Sequence, residues 1–423
     1  MLLIYRYLIN IFFPLIIILI YFRTWFNKED KKRFKEKLFS SSFNIIKNPK
    51  KKLIWFHAAS IGELKSVILL IKKLNEKNEF DFLVTTVTLS SAQLIKKELS
   101  SEKNIIHRFF PIDKLDLAKK FLECWSPHLI IFVDSEIWPN FILEIKKRSI
   151  PLVLLNARIT RKTFLRWIII SKIAEKIFQS FELCLPSSNE SRIYLEKFKV
   201  KNIKYFGNLK LASKNISVNL NFKNKEILTK HKFWCAVSTH KEEDLFCINT
   251  HLKIKKTHGK VITIIIPRHI NRAKSIQTFC KKFNLKSQIL SEDELIKANS
   301  EVVIINSYGV MPDYLSLCKS VFIGKSMIKK LQSVGGQNPI EAAKLGCKIY
   351  HGPYIYNFQE VYELFQKHKI SETIYDENIL AEKLSADLNK SHEIKIEKIE
   401  IINNLGEKIL SETYNEIIKI ADR

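Results

Sequence analysis

Residues 53–63 read LIWFHAASIGE, from Leu53 through His57, Ala58, Ala59 and Ser60 to Glu63. The apolar run 53–57 predicts a strand buried on both faces, as in parallel sheets. Small residues at its carboxyl end let a ligand approach the backbone, and the helix start beyond them favours anions. Residues 61–75 have the spacing of an amphipathic helix. The same rhythm continues with predicted strands at 82–86, 129–134 and 151–155. It restarts with strands at 233–238, 261–266, 302–306, 320–323 and 347–351. Between the two series, 212–225 (ASKNISVNLNFKNK) is polar and without apolar periodicity, which reads as an interdomain linker. The pattern predicts an α/β chain of two doubly wound domains with a cleft between them, and ligands outside the carboxyl ends of the strands. Residues 394–420 read as one or two terminal helices.

Length and composition agree. A chain of 423 residues, 46% hydrophobic, has room for two cores and is not a disordered polymer. The net charge of +27 suits nucleic acid, a membrane leaflet or a phosphorylated substrate, and equally a surface that favours lysine. The seven cysteines are scattered, odd in number and lack a C-x-x-C pair. They read as buried thiols of a reducing compartment, not as a disulfide framework or a zinc site.

Residues 1–22 (MLLIYRYLINIFFPLIIILIYF) are apolar except for Arg6 and Asn10, with Pro14 in the middle. Arg23, Lys28, Lys31, Lys32, Arg33, Lys35 and Lys37 follow, and KNPKKK (47–52) leads into the first strand. The length suffices for a membrane anchor, spanning or lying in the interface, and the basic flank favours a cytoplasmic body.

Several residues could carry chemistry. Glu63 falls in the first turn of a helix at a strand's carboxyl end, where a carboxylate serves as a general base or simply suits the helix dipole. Asp134 and Glu136 follow the strand 129–134 in DSEIWPN, placed for a site or for helix capping. Lys210, in FGNLK, would point a cation towards the cleft. Arg268 follows the strand 261–266 and suits bidentate phosphate binding, or is simply part of a basic surface loop. GGQNPIE (335–341) opens a helix with a glycine pair, so its amides could take a phosphate and Glu341 a ribose diol. Neither G-x-G-x-x-G after the first strand nor G-x-x-x-x-G-K-[ST] occurs, which removes support for hydride transfer and P-loop hydrolysis.

In order along the chain stand HAASIGE (57–63), DSEIWPN (134–140), NARIT (156–160), GNLK (207–210), STHKEED (238–244), IPRHINR (266–272), GGQNPIEAA (335–343) and GPYIYNF (352–358). This series resembles the 3-deoxy-D-manno-octulosonic acid (Kdo) transferases of lipopolysaccharide synthesis over nearly the whole chain. The resemblance implies two facing Rossmann-like domains of the GT-B type, with residues 1–22 as membrane anchor, 23–212 as the acceptor domain and 213–423 as the nucleotide-sugar domain with terminal helices. It implies transfer of Kdo from CMP-Kdo to a lipid A precursor (lipid IVA), with inversion and without metal or cofactor. It makes Glu63 the base, with Glu136 and Lys210 supporting the transition state. The cytidine nucleotide would be held by Pro267, Arg268, Tyr308, Gly309, Val310, Asn338, Pro339, Ile340 and Glu341. The expected setting is the cytoplasmic face of the inner membrane, against its anionic leaflet, without nucleic acid. The sequence departs from the family in having Val310 where an acid is usual, Gln337 for histidine, and Lys325 where a second glycine is common. Two rival readings are a transferase of the same fold with another nucleotide sugar, and a non-catalytic basic protein that binds membrane or nucleic acid.

Overall fold

The structure, a computed structural model, describes residues 1–43, 51–213, 216, 218–292, 294–390 and 396–423. Residues 47–50 of the basic connector, 214, 215 and 217 of the polar linker, and 394–395 of the terminal segment lie outside the described residues. Two compact units form: Met1–Ser213 with Leu405–Arg423, and Lys214–Asn404.

The first unit holds a six-stranded sheet of β1 (Lys52–His57), β2 (Phe80–Thr86), β3 (Ile105–Phe109), β4 (Leu129–Val133), β5 (Leu152–Ala157) and β6 (Leu183–Pro186), ordered β3-β2-β1-β4-β5-β6. Its strand pairs are parallel. β4 and β5 are buried at every residue, which explains their unbroken apolar runs. The core gathers Trp55, Phe121, Phe132 and Phe141 around the sheet. β1 and β4 are neighbours although far apart in sequence, so the strand order reverses between them. Crevices of such sheets open at that point.

The second unit has seven strands: β7 (Phe233–Thr239), β8 (Ile262–Pro267), β9 (Ser287–Leu290), β10 (Val302–Ile305), β11 (Ser320–Ile323), β12 (Lys348–His351) and β13 (Ser371–Thr373). Their order is β13-β12-β11-β7-β8-β10-β9, again with parallel pairs. Four strands had no sequence signal: β3, β6, β9 and β13. Each is an outermost strand of its sheet. β3 and β9 mix polar residues with apolar ones and β13 (SET) is polar, as strands paired on one side can be. β6 (LCLP) is buried throughout, and its run is only four residues long.

The amino-terminal helix runs Leu2–Trp25, three residues beyond the expected anchor. One face docks on the first unit. Tyr5 donates to Asp113 (2.7 Å), and Arg6 Nε donates to Asn140 Oδ1 (2.9 Å). Farther along, Phe13, Ile16, Ile17 and the buried Ile20 pack with Phe34, Leu38 and Ile112. Asp113 also accepts the backbone N–H groups of Asn140 and Phe141, and burial pushes its carboxyl up to about 6. The opposite face exposes Ile4, Leu8, Ile11, Leu15, Ile18 and Phe22 at i, i+3 and i+4 spacing. Both faces are apolar, so the sequence shows no polar stripe although the helix is docked along its length.

The basic flank is partly internal. Arg23 pairs with Glu29, Arg33 with Glu36, and the buried Lys37 with Glu29 at 2.6 Å. Lys37 also donates to the Val87 carbonyl. The helix Ile396–Ala421 ends in the first unit: Lys204 pairs with Glu416, and a Cβ at Gly406 would lie 2.2 Å from the Leu211 carbonyl oxygen. Six cysteines are buried as expected, but Cys124 is exposed.

Candidate active site

β1 ends at His57, and Ser60 caps the helix Ile61–Asn75 that follows. Ser60 Oγ accepts the Glu63 N–H (3.4 Å) and donates to Glu63 Oε1 (2.8 Å). Glu63 Oε2 accepts the Ala59 N–H at 2.7 Å. The capping box fixes the carboxylate at the sheet's reversal point. Burial, then the charge of Glu136, raises the Glu63 carboxyl to about 7. Asp134 adds to the rise, against hydrogen bonds from Ser60 and Ala59. A carboxylate that exchanges its proton near neutrality is matched to general-base work.

Glu136 follows β4 and is held on one oxygen. Trp138 Nε1 donates to Glu136 Oε2 (2.8 Å), and His57 Nε2 lies 3.1 Å from the same atom. His57 is buried and stacks on Phe110 with ring centroids 3.8 Å apart. Trp55 Nε1 donates to Thr85 Oγ1, which stands 3.0 Å from His57 Nδ1. His57 Nδ1 also lies 3.2 Å from the Thr85 carbonyl, and Thr85 Oγ1 donates to the Phe56 carbonyl at 3.4 Å. This chain orients one oxygen of Glu136 from inside the core.

Lys210 sits in the turn Leu209–Ala212, where Asn208 Oδ1 accepts its backbone N–H. Its ammonium donates to Asp134 Oδ2 at 3.0 Å. Lys210 is thus in an ion pair with a buried acid. Asp134 and Asn156 take left-handed backbone angles, φ 61° and 52°. Asn156 Oδ1 accepts the Leu209 N–H, which ties β5 to the Lys210 turn. Glu63, Glu136, Asp134 and Lys210 lie beyond the carboxyl edge of one sheet. His57, Trp138 and Asn156 belong with them but drew no attention in the sequence. Their signal was present, since each falls inside a quoted motif.

In the second unit β7 neighbours both β11 and β8. Pro267 ends β8, and the exposed Arg268 donates its backbone N–H to the Thr239 carbonyl. The Arg268 side chain has no partner among the described residues. Glu243 binds the loop after β11: its carboxylate accepts the N–H groups of Lys325 (2.6 Å), Ser326 (2.9 Å) and Met327 (3.1 Å). It also accepts the His240 N–H at 2.9 Å. Arg272 pairs with Asp244 and donates to the Thr239 carbonyl. Burial holds His240 below its usual value, with Lys325 and Arg272 adding to the effect. Gly336 donates to the Lys325 carbonyl, joining the GGQNP segment to this rim. Asn338 Oδ1 accepts the Ile340 N–H at the start of the helix Ile340–Lys344, where Pro339 is the cap and Glu341 lies in the first turn. Tyr308, 65% exposed, and Gly309, φ 88°, lie beyond β10, and Val310 caps the short helix Met311–Leu315. No hydrogen bond joins 308–310 to the rim among the described residues. Glu243 was again inside a quoted motif without an assigned role.

The fold is shared with known sugar-nucleotide enzymes. A putative UDP-N-acetylglucosamine 2-epimerase from Listeria monocytogenes superposes with a TM-score of 0.59 at 11% identity, over 87% of this chain and 97% of that one. That likeness, with two parallel-sheet units, defines a two-domain fold of the GT-B type, the class that includes many glycosyltransferases. Residues 32–213 match the family described as 3-deoxy-D-manno-octulosonic-acid transferase (kdotransferase). The 3-deoxy-D-manno-octulosonic acid transferase of Rickettsia prowazekii is 30% identical over 375 residues, 87% of this chain and 79% of the relative. That of Rickettsia bellii is 31% identical over 352 residues, 82% of each. The chain belongs to the Kdo transferase family.

Proposed function

We propose that this enzyme transfers Kdo from CMP-Kdo to a lipid A precursor in lipopolysaccharide synthesis, and that the first unit takes the acceptor. Glu63 is the general base: it removes the proton of the acceptor hydroxyl as that oxygen attacks the anomeric carbon of Kdo. The observation that carries this role is a carboxyl raised to about 7 and fixed by its own capping box at the sheet's reversal point. Glu136, held by His57 and Trp138, and Lys210, paired with Asp134, support the developing charge. One base and one direct displacement give inversion at the anomeric carbon.

The second unit holds the nucleotide. Arg268, with an unpartnered guanidinium at the end of β8, takes the phosphate, beside Pro267. Tyr308, Gly309 and Val310 line the base side, and Asn338, Pro339, Ile340 and Glu341 offer a helix start and a carboxylate for the ribose. Leaving as CMP, the donor's phosphate carries away the bonding pair of the broken glycosidic bond.

The helix Leu2–Trp25 is long and apolar enough to cross a membrane. Because one face is docked on the first unit from Tyr5 to Ile20, we read it as lying in the interface of the cytoplasmic side of the inner membrane, with its exposed face in lipid.

The test is incubation of the purified chain with CMP-Kdo, other activated sugars and lipid IVA, followed by mass spectrometry and NMR of the product. Addition of Kdo with inverted anomeric configuration is expected. Transfer only from another donor would refute the assignment.

A further inference from the structure

On the first unit, opposite the edge that carries Glu63, lies a groove of about 1090 Å³. It is lined by the first residue of β5 and the residues just before β6, so it marks the amino-terminal edge of the sheet. Leu2 and Arg6 of the amino-terminal helix form one wall. The other walls carry Lys146, Lys147, Lys172, Lys176 and Lys201. None of these five lysines has an ion pair or side-chain hydrogen bond among the described residues. The acids of the groove do not balance them. Glu175 is paired with Lys199 and Glu182 with Arg423, and among the described residues Glu144 has no paired cation.

Two helices, Pro139–Lys147 and Ser171–Phe178, end at this edge. Each helix end presents about half a negative charge, which accounts for about one of the lysines in total. The rest is a cationic surplus converging on a groove beside a helix whose outer face is apolar. Leu3, next to the groove-lining Leu2, is 78% exposed.

We propose that this groove is a headgroup site for an anionic membrane phospholipid. The phosphodiester sits among the lysines, and the acyl chains run along the exposed face of the amino-terminal helix. The site lies at the other edge of the sheet from Glu63, so its ligand is a bound lipid of the leaflet and not the reacting acceptor. Its effect is to fix the roll of the first unit on the membrane. The inference rests on the reading that the helix Leu2–Trp25 faces lipid.

The full chain is tested by flotation with vesicles of phosphatidylcholine alone and of phosphatidylcholine with phosphatidylglycerol. Binding to phosphatidylcholine reports the apolar helix, and the gain on adding phosphatidylglycerol reports the groove. Lys147→Glu, Lys172→Glu and Lys176→Glu combined should abolish the gain, a loss of at least about tenfold, while leaving binding to phosphatidylcholine intact. The reversal of Lys256, Lys260 and Lys281 to glutamate in the second unit should leave most of the gain. If the combined groove variant does not fold, Lys176→Glu alone should reduce the gain several-fold. Persistence of the gain in the groove variants, or an equal loss in the control, would overturn the site. So would displacement by inorganic phosphate at matched ionic strength, or a raised KM for detergent-dispersed lipid IVA. Failure of the wild-type chain to bind either vesicle would remove the helix reading and the site together.

Discussion

Lys210 Nζ stands 3.0 Å from Asp134 Oδ2, joining the cation of one motif to the acid of another 76 residues away. Asp134 is only 5% exposed and adds to the field that raises Glu63. The pair therefore bears on two things at once, the Lys210 turn and the charge felt by Glu63.

Removing one partner of such a pair strands the other. Lys210→Met should cost about 3 kcal/mol in urea unfolding, because the buried Asp134 carboxylate is left uncompensated. The double variant with Asp134→Asn should recover most of that loss. A Lys210→Met chain as stable as wild type would show that the pair contributes nothing.

Activity should depend on Glu63 ionisation. With its carboxyl raised to about 7, kcat/KM should rise tenfold per pH unit below that value and level off above it. Glu136→Gln removes a charge that raises Glu63, so the midpoint should move to lower pH even where the rate falls. Lys210→Met should move it upward. A midpoint indifferent to both substitutions would place the base elsewhere.

The same shift makes a stability prediction independent of turnover. Glu63 rises from 4.5 to about 7 on folding, so the native chain holds the proton more tightly. Its contribution is full below about pH 4.5 and is lost as pH rises through about 7, a change of about 3 kcal/mol. Glu63→Gln cannot titrate, so its unfolding free energy should fall less than that of wild type between about pH 5 and about pH 8. It should also lose nearly all turnover while keeping donor binding.

Leu8, Ile11 and Leu15 lie on the exposed face of the amino-terminal helix, whereas Ile20 is buried against the first unit. Leu8→Glu with Ile11→Glu should move the protein from the membrane to the soluble fraction with an unchanged melting temperature. Ile20→Glu should instead destabilise the fold by about 3 kcal/mol or more. Equal melting losses in both variants would mean that the two faces are not distinct.

Gly324 has no room for a side chain: a Cβ there would lie 2.7 Å from both Glu243 Oε2 and the Thr239 Cα. Gly324→Ala should push apart the loops after β7 and β11 and weaken CMP binding by about tenfold or more in titration calorimetry. Unchanged affinity would separate this rim from the nucleotide site.

The sequence by itself determined the alternation of strands and helices, the two-unit α/β class and the order of the motifs. It could do so because strands buried on both faces must be apolar without interruption, and because turns that approach a ligand must be small. The edge strands β3, β9 and β13 stayed hidden, since pairing on one side relaxes that demand, and β6 because its apolar run is only four residues long. Local sequence reached Glu63, Asp134, Glu136, Lys210 and Arg268 as candidates, but not which of them pair. Whether Lys210 is solvated or paired with Asp134, and whether His57 is core filler or the support of Glu136, depends on strand order, which brings β1 beside β4. The raised carboxyl of Glu63 is likewise a tertiary property, made by burial and by acids far away in sequence. The amino-terminal helix shows the same division. Its apolar length was written in the chain, but which face meets the protein was decided by Asp113, Asn140, Phe34 and Leu38, residues that only folding brings alongside it.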